Sequence, residues 1–306
     1  MSATTLQSPA PHRTPAPIEP QPSAADLDQA TSVATDAARA GSRLRAGTRR
    51  AGRIVGGVAF RSAAILGFLL VWEIGPLLAS PSTRVFLPPL HEVLIALWDL
   101  ITSGALQAHL AASLTRSIAG FGIAVTLGIA AGLVIAWYRP LGTFLTPLLE
   151  VFRNTAALAL LPVFTLLLGI GEESKITIVA YAAFFPVLLN TVAGVRTVDP
   201  LLVRAARSLG LSSFALFRKV ILPSAVPTIF TGVRMAGTAS ILVLIAAEMV
   251  GAKAGLGFLI VNAQSSFLIP QMYAGILSVA LLGLLVNTLL VTVERRLSRW
   301  RTAVNA

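Results

Sequence analysis

The chain contains no cysteine and few charged residues of either sign. The absence of cysteine among 306 residues excludes disulfides, thiol catalysis and cysteine-bound metals. Charged residues make up 12% of the sequence, whereas soluble domains carry roughly 25%. Hydrophobic residues make up 55%, the mean hydropathy is +0.80, and several runs approach the roughly 20 apolar residues that a spanning helix needs. The composition therefore predicts a polytopic helical membrane protein.

The sequence also lacks patterns that bind metals or nucleotides. Its three histidines, His12, His91 and His109, are far apart, and no GxxxxGK[ST] loop is present to cradle ATP. The net charge of +11 would suit a nucleic acid, but the arginines are spread among apolar runs and form no single patch. We therefore expect no catalytic residue, metal, cofactor or nucleic-acid partner, and we assign the basic residues to the membrane surface.

Three segments differ in composition. Residues 1–53 are rich in Ala, Ser, Thr and Pro and end among arginines, so they cannot bury enough apolar surface to become ordered. We predict a disordered basic cytoplasmic tail there. Residues 54–296 are predicted to form a transmembrane domain with a charged loop at 199–223, and residues 297–306 form a second basic cytoplasmic tail.

Apolar runs predict an all-α fold with about six spans, at residues 62–79, 117–138, 154–171, 176–195, 228–250 and 273–293. Residues 91–102 are predicted to form a short surface helix, and 254–269 a re-entrant or surface helix before Pro270. Hydropathy alone leaves five or seven spans as alternatives. Small residues in the spans should allow close helix contact, namely Gly120, Gly122, Gly128, Gly132, Ala236, Gly237 and Ala239.

The distribution of positive charge predicts the orientation. Six spans place both chain ends on one face. Both tails and the basic loop fall on that face, whereas the opposite face holds few positive residues. Because Lys and Arg are enriched in cytoplasmic loops, we expect both termini in the cytoplasm.

The loop at 199–223 reads as two short helices. Asp199 suits a helix N-cap and Pro200 the first helical position. Gly210 suits the position after a helix, and Ser212 or Ser213 can cap a second helix that we expect to end at Pro223.

The first of these helices carries small residues beside positive charge. Leu202, Ala205, Ala206 and Leu209 fall at helical spacing, and Ala205 and Ala206 leave a shallow hollow between arginines. Such a surface suits a soluble protein partner. The alternative is an interfacial loop whose arginines meet anionic headgroups.

This segment resembles the "EAA" loop of ABC-importer permeases. The residues that match are Ala205, Ala206, Gly210, Ile221, Leu222 and Pro223, while Arg204 stands where the motif has Glu. The resemblance extends over about Phe60–Arg296, with segments Ile170–Pro200, Gly232–Gly251 and Gly255–Ile260 similar to the nitrate/sulfonate/taurine/bicarbonate class.

The resemblance implies a type I (MetI-like) permease fold and a division of labour. Two permease copies, here a homodimer, would form one path in the bacterial inner membrane. Two ATPase subunits would receive the loops and hydrolyse ATP, and an extracytoplasmic binding protein would deliver a small anion such as a sulfonate, taurine or nitrate. The alternatives are a permease of this class for another nutrient, or a self-sufficient secondary transporter. The latter usually has internal repeats, and we find none.

Polar residues inside spans are candidates for the solute path, because unpaired polar groups are costly in lipid. We single out Asn190, Arg234 and Glu248. For Arg234 the alternative is a snorkelling anchor near the cytoplasmic end. For Asn190 and for Glu248 the alternative is a contact that holds the helix against a neighbour.

Overall fold

The computed structural model describes residues 63–297, which divide between two units with the boundary between Leu69 and Leu70. The described residues are almost entirely helical and contain no strand, which confirms the predicted all-α class. The predicted tail at 1–53 lies outside the described residues, as does all of the tail at 297–306 except Leu297.

The described helices, numbered in chain order, are α1 (Ala63–Leu78), α2 (Pro81–Phe86), α3 (Leu90–Thr102), α4 (Ala105–Trp137), α5 (Arg139–Asn154), a 3₁₀ turn (Ala157–Leu160), α6 (Leu161–Leu168), α7 (Glu172–Arg196), α8 (Pro200–Ser208), α9 (Ser213–Leu216), a π turn (Phe217–Ile221), α10 (Leu222–Glu248), α11 (Leu256–Ser265) and α12 (Ile269–Leu297). Five stretches in this part of the chain are long and apolar enough to cross a membrane, or six if the bent α5–α6 pair is one span. The predicted number of about six therefore holds.

The identity of the spans differs from the prediction at the N-terminal side. Helix α1 is shorter than the five spanning stretches, whereas Arg84–Thr102 qualifies as one of them. The predicted surface helix at 91–102 is instead packed on one side, because Val93, Ala96 and Leu100 are buried against α11 and α12. Its amphipathic pattern thus reflects protein contact rather than exposure to water.

The predicted span at 154–171 is not a straight helix. The chain bends by 85° between Pro140–Asn154 and Ala157–Leu168. Thr155 is extended at the end of α5, and Pro162 occupies the first turn of α6. Proline is favoured there because the first helical N–H groups need no partner within the helix, so the sequence starts a new helix instead of continuing the old one.

Helices α4 and α7 pack closely through a small-residue ridge. Gly120, Ala124, Gly128 and Gly132, spaced by four, are all buried. The residues that they meet on α7 also recur every four positions: Val179, Ala183, Val187 and Thr191. A Cβ on Gly132 would lie 2.6 Å from Thr191 Cβ. The expected role of these small residues is confirmed at Gly120, Gly128 and Gly132, but a Cβ on Gly122 would meet nothing within 4 Å.

The helix that begins at Ser213 does not end at Pro223. It runs on to Glu248 through the π turn, and Pro223 and Pro227 lie within it. In the π turn the Leu222 N–H donates to Phe217 O, five residues back. This wider turn places Pro223 in the first turn of α10, where its missing N–H does not interrupt the helix.

Candidate functional site

The segment between α7 and α10 is held by local caps, as its sequence predicts. Asp199 Oδ1 accepts a hydrogen bond from the Leu201 N–H at 2.8 Å, and Ser212 Oγ accepts one from the Ala215 N–H at 3.3 Å. Gly210 has φ +76°, a conformation that L side chains rarely adopt. Its N–H donates to Arg207 O, and the Leu211 N–H donates to Ala206 O. This pair of bonds is the Schellman arrangement that ends a helix at glycine.

Helix α8 has two different faces. Leu201, Leu202, Ala205 and Leu209 are exposed, with Leu209 at 80%, and they fall on one side at 3.6 residues per turn. Ala206 is only 6% exposed, so the hollow expected at both alanines exists only at Ala205. We call the exposed set Leu201, Leu202, Ala205 and Leu209 the apolar face.

The opposite side of α8 turns toward the ends of the spans. Arg204 and Arg207 line a cavity of about 770 Å³ together with Arg196 at the end of α7. Ile221 also lines it, whereas Leu222 and Pro223 begin α10. Arg204, which replaces the motif Glu, therefore points away from the apolar face.

A second cavity, of about 540 Å³, lies where α7 and α10 meet the bend between α5 and α6. Asn190 lines it, and its side-chain amide donates to Pro186 O at 2.8 Å. Phe152, Tyr181 and Phe185 give it an aromatic wall, with the Tyr181–Phe185 ring centroids 5.3 Å apart. Of the three predicted path residues, only Asn190 lines this cavity.

Arg234 and Glu248 have other partners. Arg234 Nη1 lies 3.1 Å from Glu294 Oε2, which links α10 to α12. Glu294 lies three residues before the end of α12 at Leu297. Glu248 is 1% exposed, so the geometry favours the alternative of a contact between helices.

Glu248 belongs to a buried charge network that joins α4, α7 and α10. Arg116 Nη1 donates to Glu248 Oε1 and to Ala254 O, both at 2.7 Å. The Nε and Nη2 groups of Arg116 donate to the Glu172 carboxylate. The Arg116 side chain is 5% exposed and that of Glu172 is 63% exposed. The network is thus buried at Glu248 and open to solvent at Glu172.

The same network caps helix α11. Glu248 Oε2 accepts a hydrogen bond from the Gly257 N–H at 3.0 Å, and Ser113 Oγ accepts one from the Leu256 N–H at 2.9 Å. His109 Nδ1 accepts one from the Gly255 N–H at 3.1 Å. Gly255 is required here, because a Cβ would collide with the Glu248 carboxylate. Side chains distant in sequence therefore satisfy the first N–H groups of this helix, which otherwise lack partners.

Sequence reasoning missed Arg116, Ser113 and Glu172 as members of one site. Arg116 follows a polar stretch and precedes an apolar run, so it reads as the flank of a span, but α4 begins at Ala105. Lys175, in the first turn of α7, is also buried, at 3% exposed, and its Nζ donates to Gly171 O at 3.0 Å. The one signal was a charge inside an apolar run, at Glu248.

The two polar regions lie at opposite ends of the same helices. Glu172 begins α7, and the capped segment starts just after α7 ends at Arg196. At a rise of 1.5 Å per residue, these ends are about 36 Å apart, roughly the thickness of a bilayer. The charge network therefore lies near one membrane surface and α8 near the other.

The sequence profile of the "Binding-protein-dependent transport system inner membrane component" family matches residues 124–299. The chain is 39% identical over 238 residues, 78% of this chain and 90% of the relative, to the putative aliphatic sulfonates transport permease protein SsuC of Escherichia coli (strain K12). It is 36% identical over 239 residues, 76% of this chain and 86% of the relative, to the taurine transport system permease protein TauC of the same organism. Among solved structures, an inward-facing MetNI methionine ABC transporter matches with a TM-score of 0.53 at 17% identity, over 63% of this chain and 95% of that one, so the folds are alike. Both the profile and the relatives show that the chain belongs to the family of binding-protein-dependent transport system inner membrane components.

Proposed function

We propose that the chain is the membrane permease subunit of an ATP-driven importer and forms the path for a small sulfonate-like anion. A separate ATPase subunit hydrolyses ATP, and an extracytoplasmic binding protein delivers the solute. Two permease copies and two ATPase copies make the complete transporter, with both permease termini in the cytoplasm. The observation that carries this proposal is the apolar face of α8, exposed on a rigidly capped segment outside the spans.

The apolar face needs a partner. Leu201, Leu202 and Leu209 are 67%, 52% and 80% exposed, at a turn between spans where water is present. Burying such side chains against protein contributes about 25 cal/mol per Å² of apolar area. Caps at both ends of α8 keep these leucines on one surface, so they can enter a groove without first being ordered. This geometry suits the transmission of a partner's movement to the spans.

The cavity beside Asn190 supports the proposed solute class. It combines an aromatic wall with the Asn190 amide and Arg153, whose Nη2 lies 2.8 Å from Glu150. An organic anion has an apolar part for such a wall and an oxyanion for the amide and guanidinium. The sulfonate and taurine permeases named above are relatives of this chain.

Helices α7 and α10 connect this cavity to residues 197–221 between them, which we call the coupling segment. They flank α8 and α9 in sequence and pack closely where Gly194 meets Ala225 and Gly232 meets Asn190. Movement of α8 with its ATPase partner therefore moves the cavity walls. ATP shifts the transporter between inward and outward states only insofar as it binds one of them better.

The test replaces Leu209 with Asp. A carboxylate on the apolar face should reduce co-purification with the cognate ATPase and abolish ATP-dependent uptake into proteoliposomes, while membrane insertion remains normal. Leu209→Met is the matched control, because it retains apolar surface and should retain both activities. Ala205→Trp serves as a second variant, whereas Ala206→Trp would disturb the fold because Ala206 is buried.

Two results would overturn the proposal. If Leu209→Asp and Ala205→Trp assembled and transported like the unmodified chain, the apolar face would not be the docking surface. If the purified chain alone accumulated solute against a gradient, it would be a secondary transporter.

A further inference from the structure

Three arginines converge on the cavity behind α8. Arg196 ends α7, and Arg204 and Arg207 lie one turn apart on α8. All three line the same space of about 770 Å³, within the range of roughly 300–1,000 Å³ that ligand pockets occupy. All three residues are exposed, so their positive charges face one open pocket at the protein surface.

The local packing makes room for one of these guanidinium groups. Arg196 Nη2 lies where a Cβ of Gly142 would be, so any larger residue at 142 would displace it. Gly142 lies in α5, and its neighbour Thr143 lines the cavity. The absence of a side chain at 142 thus lets Arg196 lie against α5 beside the cavity.

No carboxylate in the described part of the chain pairs directly with these arginines. Between residues 63 and 297, the ion pairs involve Arg116, Arg153, Arg234 and His91, and no carboxylate lies within 4.0 Å of Arg196, Arg204 or Arg207. Asp199 lies three residues after Arg196, and its carboxylate accepts a hydrogen bond from the Leu201 N–H and so caps α8. Guanidinium groups so gathered suit a multivalent oxyanion, because their planar forks match phosphate.

The position of the cavity favours a lipid over the ATPase as the source of that anion. The cavity lies on the side of α8 opposite the apolar face, between α8 and the ends of α4 and α7. Trp137 at the end of α4 lines it and packs edge-on against Phe217, with ring centroids 5.0 Å apart. Tryptophan is enriched at the level of lipid headgroups, and basic pockets beside spans on the cytoplasmic side bind anionic headgroups.

We propose that the cavity formed by Arg196, Arg204 and Arg207 binds the phosphate of an anionic phospholipid headgroup. The proposal rests on the function above only for the cytoplasmic orientation of α8. A bound headgroup brings negative charge next to residue 204, where the family's motif carries a carboxylate in the chain itself. It also links α8 to the ends of α4 and α7, so membrane composition would affect how firmly the coupling segment is held.

The test measures lipid binding to the purified full-length chain by native mass spectrometry. Short-chain phosphatidylglycerol is titrated against the chain and against Arg204→Gln, Arg207→Gln and Arg196→Gln. Near a membrane surface each arginine contributes about 1 kcal/mol to anionic lipid binding, so each variant should weaken binding about fivefold. Arg218→Gln is the matched control, because Arg218 is exposed in the same segment but does not line the cavity, and its affinity should be unchanged.

Further titrations separate the sources of the anion. Phosphatidylcholine should bind at least fivefold more weakly than phosphatidylglycerol, and millimolar inorganic phosphate should not displace the lipid. Equal affinity for the two lipids, or equal losses in Arg204→Gln and Arg218→Gln, would overturn the proposal. Preferential binding of free phosphate would overturn the lipid as its source. Displacement of the lipid by added ATPase would assign the cavity to an acidic group of that partner instead.

These measurements are independent of transport. A chain that docks its ATPase through the apolar face but shows no preference for phosphatidylglycerol would refute the lipid site and leave the proposed function intact. Conversely, lipid binding sensitive to Arg204 in a chain that never binds an ATPase would refute only the proposed function.

Discussion

Replacing Glu248 should be among the most destabilising single changes in this protein. Its carboxylate accepts hydrogen bonds from Arg116, from the Gly257 N–H and from Ser113 Oγ, the last at 2.8 Å to Oε2. Glu248→Ala removes all of them and leaves the buried Arg116 with Ala254 O and the exposed Glu172 carboxylate as its remaining partners. Glu248→Gln retains an acceptor for Gly257 but removes the negative charge.

The magnitudes follow from burial. Breaking a buried ion pair by removing one partner costs about 3–5 kcal/mol, and Glu248→Ala also leaves the buried Gly257 N–H without an acceptor. We expect a loss of about 3–5 kcal/mol for Glu248→Ala and a smaller loss for Glu248→Gln. Glu172→Gln is the matched comparison on the same arginine. Because the Glu172 side chain is 63% exposed although Arg116 is buried, Glu172→Gln should cost less than Glu248→Gln.

The assay is reversible unfolding of the purified protein in mixed micelles, followed by tryptophan fluorescence or circular dichroism. A double-mutant cycle of Arg116→Met with Glu248→Gln gives the interaction energy of the pair directly. The reasoning fails if Glu172→Gln destabilises as much as Glu248→Gln. It also fails if Glu248→Ala costs less than about 1 kcal/mol, the level of an ordinary surface pair.

Three further predictions concern packing, caps and the cavity. Gly132→Val should lower the free energy of unfolding by about 1–3 kcal/mol through overpacking against Thr191, while Gly122→Val on the same helix should be nearly neutral. Thermal unfolding measures both variants, and equal losses of stability would contradict the packing of α4 on α7. Asp199→Ala should remove about 1 kcal/mol of helix stability and speed amide exchange in α8 about fivefold, and unchanged exchange would contradict the cap. Asn190→Leu should lower uptake in proteoliposomes while co-purification with the ATPase stays normal, and unaltered uptake would separate this cavity from the solute path.

The features that the sequence predicted well depend on neighbours within one turn. The caps at Asp199 and Ser212 and the helix end at Gly210 follow from side-chain or backbone chemistry acting over two to five residues. The helix contact at Gly120, Gly128 and Gly132 of α4 could be predicted for a similar reason, because residues spaced by four lie on one face of a helix. Such signals survive in any tertiary context that keeps the helix.

The missed features depend on contacts between distant parts of the chain. Ser113 and Glu248 are 135 residues apart, and no local pattern relates them. Pro223 was expected to end a helix, and this was wrong because a π turn precedes it. Local propensity does not predict such a turn. Likewise, the burial of one face of α3 depends on its packing against α11 and α12.

The positions of these features suggest why the chain combines rigid and open regions. At one end, Arg116 and Glu248 fasten α4, α7, α10 and the start of α11 with buried charges. At the other, α8 presents an exposed apolar face and a cavity lined by three arginines that pair with no carboxylate between residues 63 and 297. A movement applied to α8 cannot easily separate helices at the fastened end, because that would leave buried charges without partners. We therefore expect α4, α7 and α10 to move as one body when a partner acts on α8, so that the walls of the cavity at Asn190 shift relative to whatever faces them across the solute path.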